Sequence, residues 1–132
     1  MKRNVEKIAA LTDLQLAVMR AVWRTGPATL SHIHAEVSKT RELAISTVGT
    51  LLSRLRKQQL VAATARGRHL VYRAAVSEND VRHTAMRRLM DRVFGGDSVA
   101  MVEHLLSSGK IRSGDAQKIR EMIDEAIETE KR

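Results

Sequence analysis

Ser46, Thr47, Thr50 and Ser53 recur at helical spacing within ISTVGTLLSRLRKQQ, and Arg54 and Lys57 follow one and two turns on. Short hydroxyl side chains on one helix face let that face come close to a partner. Their O–H groups hydrogen-bond base edges or phosphates, and a threonine methyl fits against a thymine methyl. Arg54 and Lys57 can reach phosphate oxygens. Gly49 lies at the edge of the face, where it permits close backbone approach at a cost of about 1 kcal/mol against alanine. Further on, Arg66-Gly67-Arg68 with His69 puts two guanidinium groups on one short turn, which suits phosphates or a minor groove.

No other constellation carries chemistry. The five histidines are His32, His34, His69, His83 and His104. His32 and His34 are two apart, so a helix sends them to different faces, and no HxxxH or HExxH spacing occurs. There is no cysteine, which excludes a disulfide framework, cysteine-ligated metals and thiol catalysis. No Ser-His-Asp order and no glycine-rich phosphate loop stands out. The expectation is a non-enzyme with no metal and no cofactor. Trp23, Tyr72 and Phe94 are the only aromatics, too few for a base-stacking platform.

The elements that must position the polar face follow from periodicity. The first ten residues, with Lys2, Arg3 and Lys7, read as a loose basic arm. Thr12 and Gln15 form a capping-box pattern opening a helix with Leu14, Val18, Ala21 and Val22 at helical spacing. Gly26-Pro27 ends it. Ala28-Thr29 reads as a very short strand, and Thr29 caps a second helix through Ile33 and Val37. A third helix runs from about Ile45 to Gln59, burying Val48, Leu51, Leu52 and Leu55. Its expected N-cap, Ala44, is a weak one. Residues 60–64 read as a strand, 65–68 as a turn and 69–73 as a second strand with Leu70 and Tyr72 on one face. The order is helix, short strand, helix, helix, strand, turn, strand: a winged helix-turn-helix, mainly α with a small β-hairpin wing. In that arrangement the third helix enters the major groove.

The rest is helical. Ser77 caps a helix to about Phe94, Val99 to Leu106 lie on a short helix, and Ser113 caps a last one. Leu89, Val93, Phe94, Leu105, Leu106, Ile119, Met122 and Ile123 give these helices more apolar surface than about 55 residues can bury alone. A second copy of the chain is the expected cover, the alternative being packing back onto the N-terminal domain. Charge divides at the same place. Residues 1–76 hold 13 Lys+Arg against 4 Asp+Glu, a net +9, whereas residues 77–132 are at −1, within a total of +8. The division implies a polyanion-binding domain over 1–76 and a dimerisation domain over 77–132. No apolar run approaches a membrane span and MKRNVEKIAAL lacks a signal-peptide core, so a soluble cytoplasmic protein without membrane insertion is expected.

Three segments carry a family resemblance: LTDLQLAVMRAVWRTGPATLSHIHAEV, LAISTVGTLLSRLRKQQLV and GRHLVYRAAVSENDV. Together they are similar to the penicillinase-repressor family, which includes repressors of β-lactamase and methicillin-resistance genes and copper-responsive repressors. The resemblance implies a homodimer whose winged helices each read half of a pseudo-palindromic double-stranded DNA operator. It also implies that the C-terminal helices interlock. In the β-lactam branch a sensor protease leads to cleavage at an Asn-Phe bond. The matching place here is Glu103-His104, and that bond is absent. The copper branch uses a cysteine-rich tail, which this chain lacks. The alternative to a DNA-binding repressor is a winged-helix interaction module whose basic face meets an acidic protein.

Overall fold

The computed structural model describes residues 7, 8 and 10–132. Two compact units make up the chain, one ending at Arg88 and the other running from Leu89 to Arg132. The basic arm expected around Lys2 and Arg3 lies outside the described residues. Ile8, expected in that arm, is instead buried in the core of the first unit.

In the first unit, α1 (Asp13–Thr25) opens with the capping box. The Gln15 N–H donates to Thr12 Oγ1 at 3.2 Å and the Thr12 N–H donates to Gln15 Oε1 at 3.0 Å. This reciprocal pair satisfies two of the orphan donors at a helix start. It also buries Gln15 and turns Leu14 outward, contrary to the expected stripe. β1 (Ala28–Thr29) follows Gly26-Pro27, and Thr29 caps α2 (Leu30–Val37) by accepting from the His32 N–H. α3 (Ile45–Lys57) packs Val48, Leu51, Leu52 and Leu55 against α1 and α2, with Val18, Met19, Ile33 and Val37 facing them in the shared core.

The end of α3 is a Schellman motif. The Leu60 N–H donates to the Leu55 carbonyl and the Gln59 N–H to that of Arg56, both at 3.0 Å. Gln59 takes the left-handed position at φ 63, a place usually held by glycine. Leu55 and Leu60 are both fully buried, giving the apolar contact that accompanies this motif.

β2 (Val61–Arg66) and β3 (His69–Ala74) form the hairpin, and the antiparallel sheet has the order β1-β3-β2. The strands run further toward the tip than expected. Arg66 pairs with His69, leaving only Gly67 and Arg68 in the turn. Gly67 has φ 61 and Arg68 is not in the left-handed region. That is the pattern of a type II′ turn, whose twist matches the flanking strands. Ala28 pairs with Tyr72 and Thr29 with Val71, which ties the hairpin to the start of α2.

α4 (Glu78–Val93) begins in this unit, its first turn capped where the Asp80 N–H donates to Ser77 Oγ at 3.0 Å. Val81 inserts into the core. The compact unit therefore reaches beyond Val76.

The second unit holds the end of α4, then α5 (Ser98–Ser107) and α6 (Ser113–Glu130). Asp97 caps α5 by accepting from the Ala100 N–H at 3.1 Å. Ser113 is the first residue of α6 rather than its cap; Arg112 holds the cap position without a side-chain hydrogen bond. Neither α5 nor α6 buries a single residue. Phe94 and His104 meet edge to face with ring centroids 6.1 Å apart.

Candidate nucleic-acid interface

The buried stripe of α3 fixes which side chains face outward. With Val48, Leu51, Leu52 and Leu55 in the core, the helical repeat leaves Ser46, Thr47, Thr50, Ser53, Arg54 and Lys57 exposed. Gly49 lies on the flank nearest α2, where an added Cβ would stand 3.5 Å from Leu30 Cδ2. That is ordinary van der Waals contact, and the spacing does not demand glycine. The Thr50 hydroxyl donates to the Ser46 carbonyl at 3.0 Å, so its single proton is committed within the helix.

The ladder register sorts the wing. Directly paired residues of an antiparallel ladder share a face. Arg66, His69, Thr64 and Arg73 therefore lie on the outer face, while Val61, Ala63 and Tyr72 lie on the core face. Arg73 donates to Thr64 Oγ1 at 2.8 Å. Arg68, His69 and Ser31 share the lining of an open cleft of about 310 Å³ between the wing and the start of α2.

Among the described residues, no ion pair engages Arg54, Arg56, Lys57, Arg66, Arg68 or Arg73. The pairs in the first unit lie elsewhere: Glu36 binds Lys39 at 2.9 Å and Arg24 at 3.7 Å, and Arg82 binds Glu78 at 2.6 Å. The Lys39 ammonium, with Arg24 beside it, holds the Glu36 carboxyl below its ordinary pKa of 4.5. Unpaired cations flanking exposed hydroxyls can bind a polyanion without first breaking internal salt bridges.

Two residues of this surface escaped the sequence reading. Arg73 joins the outer face of the wing; strand alternation opposite Leu70 and Tyr72 was the available signal, and the ladder register bears it out. Ile45, the first residue of α3, is 44% exposed beside Ser46; its place ahead of the polar face was the available signal. His34 has a structural role, its Nε2 lying 2.7 Å from the Leu43 carbonyl. Among the described residues, no three His, Asp or Glu side chains converge as a metal site would require.

The residues expected to dimerise stand open. Val93 and Met122 are 66% and 65% exposed, and Leu89, Leu105, Leu106, Ile119 and Ile123 are also exposed. Phe94 is half-buried, edge-on to His104. Glu103 and His104 lie within α5. No helix among the described residues is long and apolar enough to cross a membrane.

Comparison with known proteins bears on this arrangement. The penicillinase repressor of Bacillus licheniformis is 24% identical over 121 residues, spanning 92% of this chain and 94% of that one. The transcriptional regulator BlaI of Mycobacterium tuberculosis is 46% identical over 56 residues, or 42% of this chain and 41% of that one. Among solved structures, the DNA-binding domain of the repressor BlaI superposes with a TM-score of 0.50 at 30% identity, over 55% of this chain and 89% of that one. The penicillinase repressor family model matches residues 11–125. Nearly the whole sequence takes part in that match, and the chain belongs to the penicillinase repressor family of transcriptional regulators.

Proposed function

We propose that this chain is a homodimeric transcriptional repressor acting in the cytoplasm, each copy reading one half of a pseudo-palindromic operator. The observation that carries this reading is the exposed face of α3, with short polar side chains at Ser46, Thr47, Thr50 and Ser53 and, among the described residues, unpaired cations at Arg54 and Lys57. Presented to a major groove, the hydroxyl face meets base edges while the cations meet phosphates. Ile45 joins the base-facing end of the helix. Arg66, Arg68 and Arg73 of the wing bind backbone or minor groove, which positions the protein without specifying sequence.

The second copy docks on the apolar side chains of α4, α5 and α6. Solvent-facing side chains such as Val93 and Met122 are stabilised by leaving water. Joining two modest half-site affinities then gives tight operator binding. Induction acts on this linkage. α5 has no buried residue of its own, and a short helix needs neighbours to persist. Opening it between Val99 and Leu106, a sensor protease cutting near Glu103-His104 being one route, uncouples the half-sites.

The test is fluorescence anisotropy of the full chain with duplexes tiled across the DNA upstream of its own gene, against scrambled duplexes, at several salt concentrations. One upstream duplex should bind far more tightly than its scrambled form, with affinity falling steeply as salt rises. Equal binding to both would remove the operator-reading function, and binding only to an acidic protein would favour an interaction module.

A further inference from the structure

We infer that Thr50 reads thymine, and that it does so through its γ-methyl group rather than its hydroxyl. The inference rests on the proposed operator-reading function and adds the base that this residue selects.

Thr50 is exposed in the middle of the polar face of α3. A hydroxyl has one proton to donate, and here it goes to the Ser46 carbonyl at 3.0 Å. The acceptors of the major groove are purine N7, guanine O6 and thymine O4, and they need a donor. Thr50 has none to offer without breaking its bond to the helix. What it presents is a methyl group and the remaining lone pairs of an oxygen held against the backbone. The one methyl that the four standard bases place in the major groove is at thymine C5. Methyl against methyl removes apolar surface from water on both sides. Ser46 and Ser53, with no methyl, cannot make this contact, and Thr47 lies on the opposite flank of the helix from Ile45. The helix therefore has a methyl reader at the centre of its outward face.

The test separates the methyl from the hydroxyl. The full chain is used to select its best-bound duplex from a random-sequence library. Each thymine of that duplex is then replaced in turn by deoxyuridine, which lacks only the C5 methyl. Binding is measured for the native chain, Thr50→Val and Thr50→Ser. At one thymine per half-site, deoxyuridine should weaken the native chain and Thr50→Val by about fourfold, the value of one buried methyl. Thr50→Ser should bind the thymine duplex weaker by a similar factor and be indifferent to deoxyuridine at that position. The inference is overturned if no thymine is sensitive, if Thr50→Ser keeps the native sensitivity, or if Thr50→Val loses it; the last would mean that the Thr50 oxygen, not its methyl, is needed for the contact. A selection that enriches no sequence would overturn the operator-reading function itself. Circular dichroism melts of both variants check that this exposed position leaves the fold unchanged.

Discussion

The indole Nε1–H of Trp23 donates to the carbonyl of Val76 at 2.9 Å, joining α1 to a point 53 residues later in the chain. Val76 immediately precedes Ser77, which caps α4. One hydrogen bond thus fastens the strand-to-helix exit of the wing to the first helix. Trp23→Phe keeps an aromatic ring and removes the donor, leaving a part-buried carbonyl unpaired. The expected loss is about 1 kcal/mol in a urea titration followed by circular dichroism. Operator preference should not change, because neither residue faces the outer side of α3.

Gln59 holds a left-handed conformation at φ 63, which costs a non-glycine residue about 1 kcal/mol or more. Gln59→Gly should therefore raise stability, by about 0.5–1 kcal/mol once the greater freedom of glycine in the unfolded chain is counted. Differential scanning calorimetry gives the answer as an upward shift in Tm. A downward shift would mean that the Gln59 side chain contributes more than its backbone strain costs.

Arg66 and Arg68 differ from the hydroxyl face in what they contribute. Replacing either with alanine should weaken operator and random DNA by similar factors. The slope of log affinity against log salt should fall by about one unit for each phosphate that is no longer neutralised. A wing that does not touch DNA would leave both affinity and slope unaltered.

Leu105 and Met122 are exposed on α5 and α6, so glutamate at both positions does not disturb a buried core. Leu105→Glu with Met122→Glu should convert the dimer to a monomer in sedimentation equilibrium. Affinity for a palindromic duplex should fall by roughly a hundredfold as the two half-sites lose their linkage. Persistence of the dimer would place the interface elsewhere.

Acid should weaken the pairing of Glu36 with Lys39 and, less, with Arg24. The Glu36 pKa is lowered in the folded chain by Lys39 and then by Arg24. Its contribution to stability is therefore complete above its unfolded value, near 4.5, and is lost as pH falls through the lower folded value. Glu36→Gln should remove this part of the pH dependence, making the stability curve flatter below that value. Curves that stay parallel across that range would show that the Glu36 pairs contribute nothing to folding.

Much of this was legible in the sequence because it depends on local rules. The Thr12–Gln15 capping box, Thr29 as a cap and the buried stripe of α3 all follow from side-chain type and helical period. The misreadings arose where a distant contact or an exact register decided. Leu14 faces water because the capping box draws Gln15 inward. Ile8 is buried in the same core cluster as Val18, Val22 and Val81, which no local pattern near Ile8 announces. The wing strands continue to Arg66 because a two-residue turn at Gly67-Arg68 satisfies their twist, and that register brings Arg66 opposite His69. The commitment of the Thr50 hydroxyl to Ser46 is a rotamer choice, invisible in a list of residue types.

The central claim is that two copies of the chain lie on one duplex with α3 of each in a major groove. Hydroxyl-radical footprinting of the full chain on its best-bound upstream duplex tests this most directly. The account predicts two protected patches related by a twofold axis, on one face of the DNA. Their centres should be one helical turn, about 10 base pairs, or a multiple of that apart. A single patch, or uniform protection that follows no sequence, would contradict it.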